Sequence, residues 1–306
     1  MKVLYAFILL FCSLNLIAQQ KNLTFNTGKT MTCAAYAEKS PVVDGIISEN
    51  EYFGGYEQFG VLPAGSDMLS SRQAKFYAAL DDKYLYLACQ SELPDPESGV
   101  ELLKKYKKRD GNTPLDDSIE FLIYPPGAGA LYHLIINPAN VAFDLQYPEV
   151  NGGIGPTVRK DWDPDFFAKS SFTGKYWTLE LKIPLKELNA KPSRKHAEWR
   201  FQFARGWKNP IQQCAVNRVT VYANLEQMNP VIFNEKSPAV RFTGMGNYTE
   251  GENNISFTID NPGTKPVKIQ YKVTVLSEAS PRNISNIIFL RKHQKKSLYN
   301  TLKKQN

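Results

Sequence analysis

The feature that most constrains this chain is a period-two alternation of apolar and polar residues, which starts near residue 40 and is broken by turn residues about every 8 to 12 positions. Successive side chains of an extended strand point to opposite faces, so each such segment has one face to bury, and two sheets packed face to face satisfy that need. The pattern predicts an all-β chain built as an antiparallel β-sandwich. Gln73 to Leu80 alternates Ala74, Phe76, Ala78 and Leu80 against Lys75 and Tyr77; Asp81-Asp82-Lys83 turns the chain, and Tyr84 to Ser91 follows with Leu85, Leu87 and Cys89. Ser118 to Tyr124 and Ala130 to Ile136 make a second pair around Pro125-Pro126-Gly127, and Val141 to Gln146 follows the turn at Asn137. Phe166 to Phe172 and Tyr176 to Ile183 form a third hairpin, stopped by Pro184, which has no N–H to give a ladder. Further strands are expected at Trp199 to Arg205, Arg218 to Tyr222 and Ala239 to Phe242, with Val100 to Lys108 as one short helix. Leu85, Leu87, Ile119, Phe121, Leu179, Leu181, Phe201 and Phe203 are expected to point inward.

The chain has 306 residues, 42% of them apolar and 12% aromatic, enough for a sizeable core, so wholesale disorder is excluded. Its formal charge is +7, but the seven Lys and Arg after residue 281, with no Asp or Glu among them, account for the whole excess. A nucleic-acid binder carries its basic residues over a folded face, and the body of this chain has no such excess.

Met1-Lys2, the apolar run Val3 to Ile17 and Ala18 before Gln19 read as a secretory signal over residues 1–18. The run is shorter than the ~20 residues that span a bilayer, and no later segment approaches that length. A secreted, periplasmic or cell-surface location is the expectation. Past the signal, Cys33, Cys89 and Cys214 allow at most one internal disulfide, and Cys89, inside an apolar strand pattern, reads as a buried thiol.

Residues 19–39 then form a linker and 40–243 the sandwich. After Gly244, Asn254 to Asp260 and Val267 to Leu276 read as the opening strands of a second small β domain over 244–280, too short to be complete by itself. Residues 281–306 lose the alternation and read as a disordered basic tail.

The chain carries few groups for catalysis. His133, His196 and His293 stand at no metal spacing, and neither a glycine-rich phosphate loop nor a Cys-x-x-Cys pair occurs. Asp116-Asp117-Ser118-Ile119-Glu120 is the densest acidic block; Ser118 and Glu120 share a strand face, while the two aspartates precede it in a turn, as cation ligands or sugar-binding groups would. A hydrolase reading pairs Glu120 with Asp144. Trp177 and Trp199 lie inside alternating strands and read as core. Trp162 and Trp207 stand in polar, Pro-containing segments, and an exposed indole beside amides and charges suits a sugar, whose C–H face stacks while its hydroxyls bond at the rim.

Taken in order, Pro41-Val42-Val43-Asp44-Gly45 with Tyr52, Ala79-Leu80-Asp81-Asp82-Lys83-Tyr84, Asp116 to Leu122, Ile136-Asn137-Pro138, Trp177 to Pro184 and Trp199 to Arg205 resemble family-9 carbohydrate-binding modules and related DOMON-like sandwiches across about residues 40 to 243. The resemblance implies a non-catalytic sandwich that binds a polysaccharide or oligosaccharide between aromatic walls, accessory to polysaccharide degradation, with structural calcium. Carried onto this sequence it points to Trp207, Trp162 and Tyr222 as stacking residues, Glu120 and Arg205 as polar contacts, and Asp44, Asp116 and Asp117 as calcium ligands. Thr113-Pro114-Leu115 stands where the family often has an aromatic, so one wall of the clamp is absent. A surface interaction domain without a sugar ligand is the remaining class.

Overall fold

The computed structural model describes residues 7–11, 32–37, 39–66, 69–94, 102, 104–150, 153–191, 197–217, 219, 221–234, 239–244, 253–261, 265–276, 282–291 and 294–302. The expected cleavage point at Ala18 and linker residues 19–31 lie outside them. In chain order the strands are β1 (Phe7–Phe11), β2 (Thr32–Ala35), β3 (Tyr56–Phe59), β4 (Leu62–Pro63), β5 (Ala74–Leu80), β6 (Tyr84–Glu92), β7 (Ser118–Tyr124), β8 (Ala130–Ile136), β9 (Ala142–Val150) and β10 (Gly153–Ile154). There follow β11 (Phe167–Thr173), β12 (Tyr176–Pro184), β13 (Ala197–Lys208), β14 (Ile211–Ala215), β15 (Asn229–Asn234), β16 (Ala239–Gly244), β17 (Asn253–Asn261), β18 (Val267–Leu276), β19 (Arg282–Leu290) and β20 (Gln294–Leu302).

Two sheets make the sandwich. The smaller runs β11-β12-β6-β5-β3; the larger runs β10-β9-β8-β7-β13-β14-β4, with β15 pairing the first half of β13 and, in parallel, β2. All eight residues expected to face inward are fully buried. The ring of Phe76 on β5 stacks on Phe203 of β13 at 5.0 Å and meets Phe121 of β7 edge-on at 6.2 Å, so aromatic contacts join the two layers. Trp177 and Trp199 are buried, and Cys89 and Cys214 are buried free thiols.

The sequence motifs hold the turns and edges of this sandwich. Gly45 has φ +88, and a Cβ there would stand 3.0 Å from the backbone carbon of Ser170, so only glycine fits. The Gly45 and Asp44 N–H groups donate to Glu180 Oε2 at 2.9 and 3.2 Å, and Tyr52 Oη donates to Glu180 Oε1 at 3.0 Å. The opening segment is thereby fastened onto β12.

Three sequence expectations are corrected. Residues 102 and 104–108 are not helical; the Lys105 and Tyr106 N–H groups are turned onto Asp116 instead of into a helical ladder. Val219, Val221 and Tyr222 lie in a loop, because the β13 hairpin partner is Ile211–Ala215 and the chain leaves the sheet after it. The basic segment beyond 281 is not an irregular tail: β19 pairs with β18, and β20 with β17, their β-branched and aromatic residues suiting strands despite the lysines. β16 pairs with β17, so the second set of strands begins at Ala239; β1 pairs with Lys272–Leu276 of β18.

Candidate functional site

Polar groups gather on the face of the larger sheet that turns away from the core. Ile119, Phe121 and Ile123 of β7 point inward, so Ser118, Glu120 and Leu122 point outward. Strand pairing sets His133 opposite Leu122, Ala204 opposite Glu120, Gly206 opposite Ser118, and Gln213 opposite Gly206. A Cβ on Gly206 would stand 2.8 Å from Gln213 Nε2 and 2.9 Å from Ser118 Oγ, so the glycine is what lets those two side chains lie across β13. Tyr222, from the loop after β14, packs beside Ala204, Ala215 and Val219, and Met228 and Leu225 close over Leu122 and Leu131.

His133 Nε2 contacts Glu120 Oε2 at 2.9 Å, and Ser118 Oγ lies 3.4 Å from Glu120 Oε1. The Tyr147 ring lies roughly parallel to the imidazole at 6.4 Å. Burial raises the Tyr147 and Tyr222 hydroxyls above their usual range and the Glu120 charge pushes the same way, so both remain protonated donors at neutral pH. Tyr222 Oη donates to Gln213 Oε1 at 3.4 Å. Two buried atoms of this face, His133 Nδ1 and Gln202 Nε2, have no hydrogen-bond partner. Glu120 and His133 are nearly covered, whereas Tyr147, Tyr222 and Gln213 are partly exposed, and Ile211 and Val221 are exposed.

Of the expected sugar contacts, Glu120 and Tyr222 meet here and the others do not. β13 runs on to Lys208, so Arg205 and Trp207 continue the inward series Trp199, Phe201, Phe203 and are both buried. The Arg205 guanidinium lies 3.6 Å from the Trp207 ring centre and reaches the carbonyls of Arg72 and Gln73 and the Ser91 hydroxyl, bridging the two sheets; burial pulls it below the usual arginine range. Trp162 folds back onto Tyr132 at 4.7 Å and donates Nε1–H to the Glu187 carbonyl, which fixes it to the edge of the core.

The expected calcium ligands do not converge. Asp44 is exposed and accepts the Ile46 N–H in a local turn; Asp116 is filled by Lys105, Tyr106 and Asn137 donors; Asp117 accepts the Lys208 N–H. The hydrolase pair is not assembled either, because Asp144 pairs with the inward Leu134, on the opposite face from Glu120. His133, Tyr147 and Gln213 were missed as site residues. The β7–β8 hairpin alone could have given His133, since its register sets it opposite Leu122, two residues along from Glu120 on the same face.

No family model matches the sequence, and no curated protein matches it. Among solved structures, a candidate carbohydrate-binding protein of Bacteroides uniformis is similar with a TM-score of 0.51 at 15% identity, covering 67% of this chain and 97% of that one. A family-9 carbohydrate-binding module of Caldicellulosiruptor kristjanssonii matches with TM-scores of 0.44 in complex with cellotriose and 0.45 with glucose, at 16% and 17% identity, covering 68% of this chain and 95% and 97% of those chains. The fold shared with the Bacteroides uniformis protein is a two-sheet antiparallel β-sandwich.

Proposed function

We propose that this chain is a secreted, non-catalytic glycan-binding domain that takes a saccharide on the outer face of its larger sheet. The observation that carries the proposal is the gathering of the partly exposed Tyr222, Tyr147 and Gln213 on the sheet face where Glu120 lies covered. Flat phenol rings offer apolar area to a sugar's C–H face at about 25 cal/mol per Å². An amide at their edge, that of Gln213, bonds hydroxyls at about 0.5 to 1.5 kcal/mol net each. The structural neighbour from Bacteroides uniformis is described as a candidate carbohydrate-binding protein, which makes saccharides the first ligand class to test.

Export and a role accessory to polysaccharide breakdown belong to the same proposal, and the leader-like residues 1–18 support the first. Affinity electrophoresis through gels carrying soluble plant, algal and host polysaccharides tests the binding. Retardation by at least one glycan, relieved by its oligosaccharide, is the expected result; equal mobility in every gel would speak for a surface interaction domain. Sequencing the N-terminus of the exported protein tests cleavage after Ala18.

A further inference from the structure

We propose that the basic loop Lys104 to Arg109, with the rings of β11 beside it, is a second binding site, separate from the outer sheet face, for an acidic polysaccharide bearing carboxylate or sulfate groups. Five of its six residues, Lys104, Lys105, Lys107, Lys108 and Arg109, are basic, a concentration of charge that the overall balance of residues 1–281 conceals. Salt bridges take up the charge of Arg109, whose Nε lies 2.8 Å from Asp144 Oδ1 and whose Nη1 lies 2.7 Å from Asp163 Oδ1. The four lysines are exposed and have no carboxylate partner among the described residues. Four like charges on so short a segment repel one another, and a polyanion laid along them relieves that repulsion.

The loop is fastened to the sandwich. The Lys105 and Tyr106 N–H groups donate to the buried Asp116 at 3.0 and 2.9 Å, and Asn137 Nδ2 donates to the Tyr106 carbonyl at 2.9 Å. Its backbone is therefore ordered before any ligand arrives, which lowers the entropy cost of binding.

Aromatic surface lies alongside these charges. Lys104 Nζ stands 5.6 Å from the ring centre of Phe172, and the Arg109 guanidinium 5.1 Å from that of Phe166. Lys107 and Arg109 line a cleft of about 370 Å³ with Asn140, Phe166 and Phe167, a size that suits a small ligand. Asn140 brings an amide whose Oδ1 has no donor among the described residues. Phe167 and Phe172 are about half exposed and stand roughly 17 Å apart along β11. Cations interleaved with open rings suit a charged sugar chain, whose C–H faces lie on the rings while its acidic groups meet the ammonium groups. The choice of a polysaccharide among polyanions rests on the reading of this chain as a glycan-binding domain.

The test titrates the full chain with heparin as a sulfated polymer, polygalacturonate as a carboxylated one, dextran as a neutral one and a short DNA duplex, at low and at physiological salt. At least one acidic polysaccharide should bind in preference to dextran, more weakly as salt rises, and which of the two it is identifies the acidic group. The variant Lys104→Gln/Lys107→Gln/Lys108→Gln, changed at exposed positions, should weaken that binding at least tenfold at the parent's melting temperature. Lys107→Gln alone should weaken it at least threefold, and it decides the matter if the triple variant folds poorly. Binding of neither acidic polymer, undiminished affinity in the lysine variants, or a DNA duplex bound as tightly as the better polysaccharide overturns the proposal. The outer face is tested with Tyr222→Ala, so its failure and the failure of the basic loop are read separately.

Discussion

His133 Nε2 lies 2.9 Å from Glu120 Oε2 across the β7–β8 pair, on the face of the larger sheet turned away from the core. A carboxylate this well covered depends on its partners, and among the described residues the imidazole and the Ser118 hydroxyl at 3.4 Å serve it. His133→Ala should therefore lower stability by about 1 to 3 kcal/mol, the cost of stranding a buried polar group. A urea midpoint shifted at constant slope would show it, with His133→Gln recovering part of the loss. A His133→Ala protein as stable as the parent would mean that the contact contributes nothing.

Trp207 and Arg205 belong to the interior, and their variants should report on folding. Trp207→Ala removes a buried indole and the surface on which Arg205 lies, at an expected cost of about 3 to 5 kcal/mol. The prediction is a large fall in the unfolding midpoint with the affinity of the folded fraction for its glycan unchanged. Loss of affinity at full stability would return Trp207 to the binding face.

Acid should loosen the Asp81 turn. Burial alone would raise this carboxyl, but donors from Tyr86 Oη, the Lys83 and Tyr84 N–H groups and Ser40 Oγ outweigh it and hold the group below the usual carboxylate range. With the folded value below the unfolded one of about 3.9, the stabilisation is complete above that pH and lost as pH falls through the folded value. Glu180 has the opposite sign: burial raises it, so its contribution is present below its unfolded value of about 4.3 and lost as pH climbs through the higher folded value. Asp81→Asn should flatten the fall in melting temperature below pH about 4. A variant curve parallel to the parent's would remove Asp81 from this role.

How far the sequence could be read follows from how local each signal is. Alternation and turn residues are local, and Ser118–Tyr124, Ala130–Ile136 and Val267–Leu276 match their expected bounds. The motif residues Asp44-Gly45, Glu180, Asp116, Asn137 and Asp81 proved legible for the fold because they are hydrogen-bond anchors of turns and edges. The site was harder to read because it is assembled by strand pairing. Ending the strand at Arg205 instead of Lys208 hid the register that turns Trp207 inward. Nothing local to Gln213 or Tyr147 shows that pairing brings them beside Glu120. Asp144, weighed only as a catalytic partner, lies on the other face, where Arg109 from a distant loop meets it.

The central claim is that a saccharide binds against Tyr222 above Glu120, and calorimetric titration of the parent chain, Tyr222→Ala and Trp162→Ala with the oligosaccharide that retards the parent tests it most directly. Removing the Tyr222 ring takes away stacking area worth about 1.4 kcal/mol or more, a tenfold loss of affinity, while the folded-back Trp162 is not part of the face. The account predicts at least that tenfold weakening in Tyr222→Ala, with Trp162→Ala binding as the parent does. Undiminished affinity in Tyr222→Ala, or binding abolished by Trp162→Ala in a fully folded protein, would contradict it.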